Sequence, residues 1–123
     1  IEVQLKKGVL GLCVLALLAR GNSYAYEIAS RLSAAVDMGE GTIYPLMRRM
    51  QGEGLVSTYL EESPSGPPRK YYAITDAGKN RFEEQAREWR EFVDAVEAII
   101  KKDEGIMTDA ELGAKAEGID DTQ

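Results

Sequence analysis

The side chains best suited to chemistry are a small set of cationic and hydroxyl residues in two clusters. They are Thr42, Tyr44, Arg48, Arg49, Arg69 and Lys70. Arginine pairs bidentately with guanine, and Thr and Tyr hydroxyls bond phosphate oxygens or base edges. The pattern therefore indicates nucleic-acid binding. The alternative is that Arg48 and Arg49 only solvate a surface helix, with Tyr44 packed at its edge.

Residues for catalysis or metal binding are scarce. The chain has no His, and its one cysteine, Cys13, lies in the apolar run at 9–18. No glycine-rich phosphate loop follows a strand, so neither an enzyme, a metal site nor a cofactor is expected. Cys13 is interpreted as a core residue rather than a redox sensor. A single cysteine permits no disulfide within one chain, which predicts a cytoplasmic protein. The apolar run is about half the ~20 residues of a bilayer span, which predicts a buried helix without membrane contact.

The charge is divided unevenly along the chain. The net charge is −6, but residues 1–75 hold 8 Lys/Arg against 7 Asp/Glu, and residues 76–123 hold 7 against 14. Phosphate neutralisation by Lys and Arg supplies most non-specific DNA affinity. Because the acidity belongs to the C-terminal part, the first 75 residues remain compatible with DNA.

Three helices are predicted in the first half of the chain. The first covers about residues 5–19, and its apolar residues do not keep to one face, so it needs cover from several sides. The second covers about 24–32 behind a possible cap, Ser23. The third begins near Gly41 or Thr42, because Pro45 is tolerated only near a helix start. Its predicted core-facing residues are Ile43, Leu46 or Met47, and Met50.

Two strands, at 55–60 and 69–74, are predicted to form a hairpin. The segment 61–68 between them is too dense in turn formers to continue a strand. Helix, helix, turn, helix, hairpin is the order of a winged helix-turn-helix, an α+β, mainly α, fold whose third helix enters the major groove. Arg69 and Lys70 would reach phosphates from the base of the wing, whereas the carboxylates at 61–62 oppose that contact.

A long fourth helix, about 76–102, is predicted to follow a cap at Thr75. Apolar residues on it step by 4, 3, 4, 3, 4. They are Phe82, Ala86, Trp89, Val93, Val96 and Ile100. Such a seam, widened by Phe92 and Ile99, predicts a homodimer interface. The predicted divisions are thus a DNA-binding domain at 1–75, a dimerisation helix at 76–102 and an acidic, weakly ordered tail at 103–123.

Four strings in this order and spacing resemble the signature of the PadR family of transcriptional regulators. They are Tyr-Ala-Tyr-Glu-Ile at 24–28, Gly-Thr-Ile-Tyr-Pro-Leu at 41–46, Glu-Gly-Leu-Val at 53–56 and Arg-Lys-Tyr-Tyr-Ala-Ile-Thr-Asp-Ala-Gly at 69–78. The resemblance extends over about residues 5–102. It implies a dimeric regulator, usually a repressor, with a single C-terminal dimerisation helix, and dimer symmetry implies a palindromic double-stranded operator.

The resemblance also implies functional residues. The implied DNA contacts are Tyr24, Thr42, Tyr44, Arg48, Arg49, Arg69 and Lys70. Some short-form relatives use an aromatic residue on the fourth helix to stack planar ligands between subunits, which suggests Trp89 for a planar aromatic effector. The alternative is that Trp89 only fills the dimer core. A rival hypothesis for the whole chain is a winged domain that contacts proteins and binds no DNA.

Overall fold

Seven elements follow one another along residues 3–101, the part of the chain that the computed structural model describes, with side chains from residue 9 onward. They are helix α1 (Val3–Arg20), strand β1 (Ser23–Tyr24), helices α2 (Ala25–Val36) and α3 (Glu40–Gly52), strands β2 (Val56–Ser63) and β3 (Gly66–Ile74), and helix α4 (Asp76–Ile100). This is the predicted winged helix-turn-helix, mainly helical, with a long C-terminal helix. The tail predicted at 103–123 lies outside the described residues.

Helix α1 runs through the centre of the hydrophobic core. Leu10, Val14 and Leu18 recur every fourth residue, so they share one face of the helix and are buried there. They belong to one cluster with Ile28 of α2 and Ile43 of α3. Leu15 is buried as well, whereas Leu12, Cys13, Ala16 and Leu17 are only partly buried. The single chain therefore leaves part of this helix uncovered.

The sheet has three antiparallel strands in the order β1-β3-β2. The short strand β1 was not predicted, and the suggestion that Ser23 caps α2 is wrong. Ser23 is buried and pairs with Tyr72, while the N-cap of α2 is Tyr24, which makes no side-chain capping bond. Two residues are too short a segment to show strand periodicity, so only pairing with β3 defines β1.

The hairpin strands continue through the segment predicted as a loop. Strands β2 and β3 leave only Pro64 and Ser65 between them. Their register shifts between Glu61 and Ser63, opposite the prolines at 67–68. A bulge accommodates prolines because the bulged position does not require a ladder hydrogen bond from proline nitrogen. The wing is therefore a longer ribbon than its composition predicts.

The predicted cap at Thr75 is present. Its hydroxyl accepts a hydrogen bond from the Gly78 N–H at 3.0 Å and donates one to the Gly54 carbonyl at 2.7 Å. Gly78 is buried against the Leu55 carbonyl, where a Cβ would collide with backbone. These contacts join the start of α4 to the end of α3.

The chain divides into two compact units, and the boundary, between Ala86 and Arg87, falls within α4. In the first unit, Ala86 is buried and Phe82 packs against the core. In the second unit, Val93 and Val96 are half-buried, and the larger apolar side chains are exposed. These are Trp89, Phe92, Ile99 and Ile100. Within residues 3–101, no helix has the length and hydropathy to cross a membrane.

Candidate nucleic-acid interface

Helix α3 turns an apolar side to the core and a polar side outward. The predicted core-facing residues are all buried, and both Leu46 and Met47 are among them. Pro45, Arg48 and Arg49 are exposed, whereas Thr42 and Tyr44 are half-buried on the two flanks. Two guanidinium groups are thus presented to solvent on one helix.

One flank of α3 faces helix α1. Thr42 and Arg49 line a cleft of about 350 Å³ whose floor includes Leu10. The Arg49 Nε lies 3.9 Å from a carboxylate oxygen of Glu53, one turn later, and both side chains are exposed. Exposed pairs of this kind contribute little to stability. Arg49 can therefore exchange its carboxylate partner for another anion at low cost.

The opposite flank faces α2 and the wing. Gln51 Nε2 donates a hydrogen bond to Thr58 Oγ1 of β2 at 3.2 Å. Burial raises the pKa of the Tyr44 hydroxyl, and the nearby Glu40 carboxylate and Tyr26 phenol raise it further. Tyr44 is therefore a neutral hydrogen-bond donor at physiological pH.

The two cations at the base of the wing lie on opposite faces of the sheet. Arg69 and Lys70 are consecutive on β3, so their side chains alternate. The Arg69 guanidinium carbon lies 4.5 Å from the centroid of the Tyr24 ring, and Lys70 Nζ lies 5.5 Å from that of Tyr72. The sequence alone presents them as a pair, whereas the structure brings only Arg69 together with Tyr24.

A row of tyrosine rings in contact with one another, not predicted from the sequence, adjoins Arg69. We define the tyrosine row as Tyr26, Tyr24, Tyr71 and Tyr59, in their spatial order. Successive ring centroids lie 6.5, 5.6 and 5.6 Å apart. The alternation of side chains along a strand does not show which residue of the neighbouring strand lies opposite. Only the register of β2 and β3 shows that Tyr59 and Tyr71 face each other.

Comparison with known proteins identifies the family. Residues 14–84 match the description "Transcriptional regulator PadR-like family". This chain belongs to the PadR-like family. Its members are transcriptional regulators, which act on DNA and are not enzymes. The matched region begins within α1 and ends within α4, so it contains α3, the wing and Thr75.

Several solved structures resemble this PadR-like chain over most of its length. A PadR-like transcriptional regulator from Bacillus cereus is 38% identical, with a TM-score of 0.74, over 80% of this chain and 97% of that chain. A Streptococcus transcriptional regulator is 35% identical, with a TM-score of 0.73, over 81% and 100%. A PadR-like transcription factor from Bacteroides fragilis is 37% identical, with a TM-score of 0.65, over 79% and 95%. The winged fold is thus shared along nearly the full length of these proteins.

Proposed function

We propose that this PadR-like regulator binds a palindromic operator as a homodimer in the cytoplasm and represses transcription until a small molecule releases it. The observation that carries the proposal is the exposed polar side of α3, where Arg48 and Arg49 point away from a fully apolar core face. A helix of this kind in a winged fold is the element that reads base edges in the major groove.

The base-reading part of the proposal is tested by substitution on α3. Arg48→Ala or Arg49→Ala should relax base preference at one symmetric pair of operator positions, at a cost of about 1–3 kcal/mol where the contact is bidentate to guanine. Lys70→Ala is the control, because loss of a phosphate contact weakens all sequences alike and reduces the salt slope by about one. Failure of the wild-type protein to bind any duplex at low salt would favour the protein-contact hypothesis instead.

The apolar stripe of α4 supports the homodimer. Phe92 is 60% exposed and Ile99 is 75% exposed, on the same side of the helix as Trp89. Large apolar side chains grouped on one helix face require cover by another surface. Phe82 already packs against the core of its own chain, so the surface offered to a second subunit begins at Trp89.

Dimerisation is tested by sedimentation and operator geometry by footprinting. A twofold dimer should protect two half-sites about 34–36 Å apart, or a multiple of that distance, on DNA upstream of its own gene or a neighbouring gene. A stable folded monomer at micromolar concentration would contradict the dimer. A single asymmetric protected block would contradict the palindromic operator.

Release by an effector is proposed at Trp89. This indole is partly exposed within the apolar stripe, so a planar aromatic ligand between subunits could stack on it. A ligand that prefers the DNA-incompetent arrangement a hundredfold shifts the equilibrium by about 2.7 kcal/mol. Fluorescence of Trp89, the sole tryptophan, should be quenched by such a ligand while operator affinity falls. Absence of quenching across aromatic acids, flavonoids and cationic dyes would leave Trp89 a packing residue.

A further inference from the structure

The tyrosine row follows from the register of the sheet. Tyr24 of β1 and Tyr59 of β2 both pair with Tyr71 of the central strand β3. The three side chains therefore stand side by side on one face, with rings in contact. Tyr26, in the first turn of α2, extends the row towards α3, where its phenol lies near that of Tyr44. The row thus connects the flank of α3 with the outer strand of the wing.

The packing of the rings decides which atoms they offer to a ligand. Tyr59 and Tyr71 are stacked at 19°, and Tyr24 and Tyr26 at 26°. Each inner ring therefore stacks on an outer ring, while the two inner rings, Tyr24 and Tyr71, meet at 51°, so ring edges and hydroxyls are what the row offers. Tyr26 is 61% exposed and Tyr59 is 38% exposed at the two ends. Such a surface suits hydrogen bonding by phenols better than insertion of bases between rings.

Two polar side chains beside the tyrosine row, Asn22 and Arg69, favour the binding of an anion. The Asn22 side-chain amide donates a hydrogen bond to the Tyr59 hydroxyl oxygen at 3.0 Å, so the phenol proton is free to be donated elsewhere. The Arg69 guanidinium lies over the Tyr24 ring and places a positive charge beside the middle of the row, with the carboxylate of Glu61 on the residue opposite it in the register. Phenol donors beside one cation match the chemistry of a phosphodiester, which is accepting and singly charged.

We propose that the tyrosine row binds the phosphate backbone of DNA, with its hydroxyls donating to successive phosphates between the groove read by α3 and the flank touched by the wing. This inference rests on the proposed function, since it assumes that α3 and the wing meet one duplex. Neutral donors displace no condensed counterions. The row therefore supplies affinity to a chain of net charge −6 without adding to the salt dependence of binding.

The test removes hydroxyls and keeps rings. Tyr26→Phe, Tyr59→Phe and the double variant preserve the rings, and Tyr72→Phe, which removes a hydroxyl from a buried tyrosine on the opposite face, is the control. The probe is a labelled duplex of mixed sequence, about three helical turns long, titrated by anisotropy between about 50 and 200 mM salt. The double variant should bind about tenfold more weakly, which corresponds to about 1.4 kcal/mol. The salt slope of the double variant should equal that of the wild-type protein. The control variant should match the wild-type protein in both salt slope and affinity.

Three results would overturn the inference. Wild-type affinity in the double variant would leave the row as packing within the wing. Undiminished binding by the Phe variants, combined with loss in Tyr26→Ala and Tyr59→Ala and a preference for single strands, would make the row a base-stacking platform. Failure of the wild-type protein to bind the duplex would remove the proposed function itself, and this inference with it. Thermal unfolding of each variant at matched concentration ensures that folded proteins are compared.

Discussion

Substitution of Thr75 by valine tests the joint between α3 and α4. Valine has nearly the shape of threonine, so the substitution removes the hydroxyl without opening a cavity. The hydroxyl makes two hydrogen bonds, to the Gly78 N–H and to the Gly54 carbonyl. Loss of an N-cap costs about 1 kcal/mol, and loss of a neutral hydrogen bond costs about as much again. Thr75→Val should therefore lower the free energy of unfolding by about 2 kcal/mol.

Thermal and urea unfolding measure this effect. For a domain of this size, 1 kcal/mol corresponds to about 4 °C in Tm, so a fall of about 8 °C is expected. Thr75→Ser is the matched control, because serine keeps the hydroxyl and should stay close to the wild-type protein. Protein concentration must be equal throughout, since dimer stability depends on it. A Thr75→Val protein as stable as the wild type, or a Ser variant equally destabilised, would refute the capping argument.

Three further predictions concern packing, assembly and reactivity. Gly78→Ala should lower the free energy of unfolding by about 3 kcal/mol, because the alanine Cβ would meet the Leu55 carbonyl. Gly52→Ala is the control and should cause no such loss, because the space around Gly52 is open. Equal urea midpoints for the two variants would contradict the prediction. Val93→Glu should dissociate the proposed dimer by placing an unpaired charge at the interface, and a dimer that persists in sedimentation would count against that placement. Burial raises the pKa of the Cys13 thiol, so less of it is thiolate at pH 8 and alkylation should be slower in the folded protein than in urea; equal rates would show that this half-buried thiol is accessible.

Local pattern was sufficient to predict the four helices and the core face of α3. Apolar residues at helical spacing predicted that Ile43, Leu46 or Met47, and Met50 face the core, and all four positions are buried. Thr75 was recognised as a cap because a hydroxyl there serves N–H groups only three residues away. These interactions join residues within one or two helical turns, so the local sequence is sufficient to predict them.

Only the tertiary structure decided which residues of separate segments meet. Strand β1 exists through its pairing with β3, and the tyrosine row exists because Tyr24 and Tyr59 both pair with Tyr71. The alternation of Arg69 and Lys70 between faces already follows from the strand predicted at 69–74, whereas the contact of Arg69 with the Tyr24 ring depends on the pairing of β1 with β3. A shift of the register by one residue would turn every side chain to the other face and leave the composition unchanged. The register itself is set by packing of the whole core against the sheet, which no single segment of the chain contains.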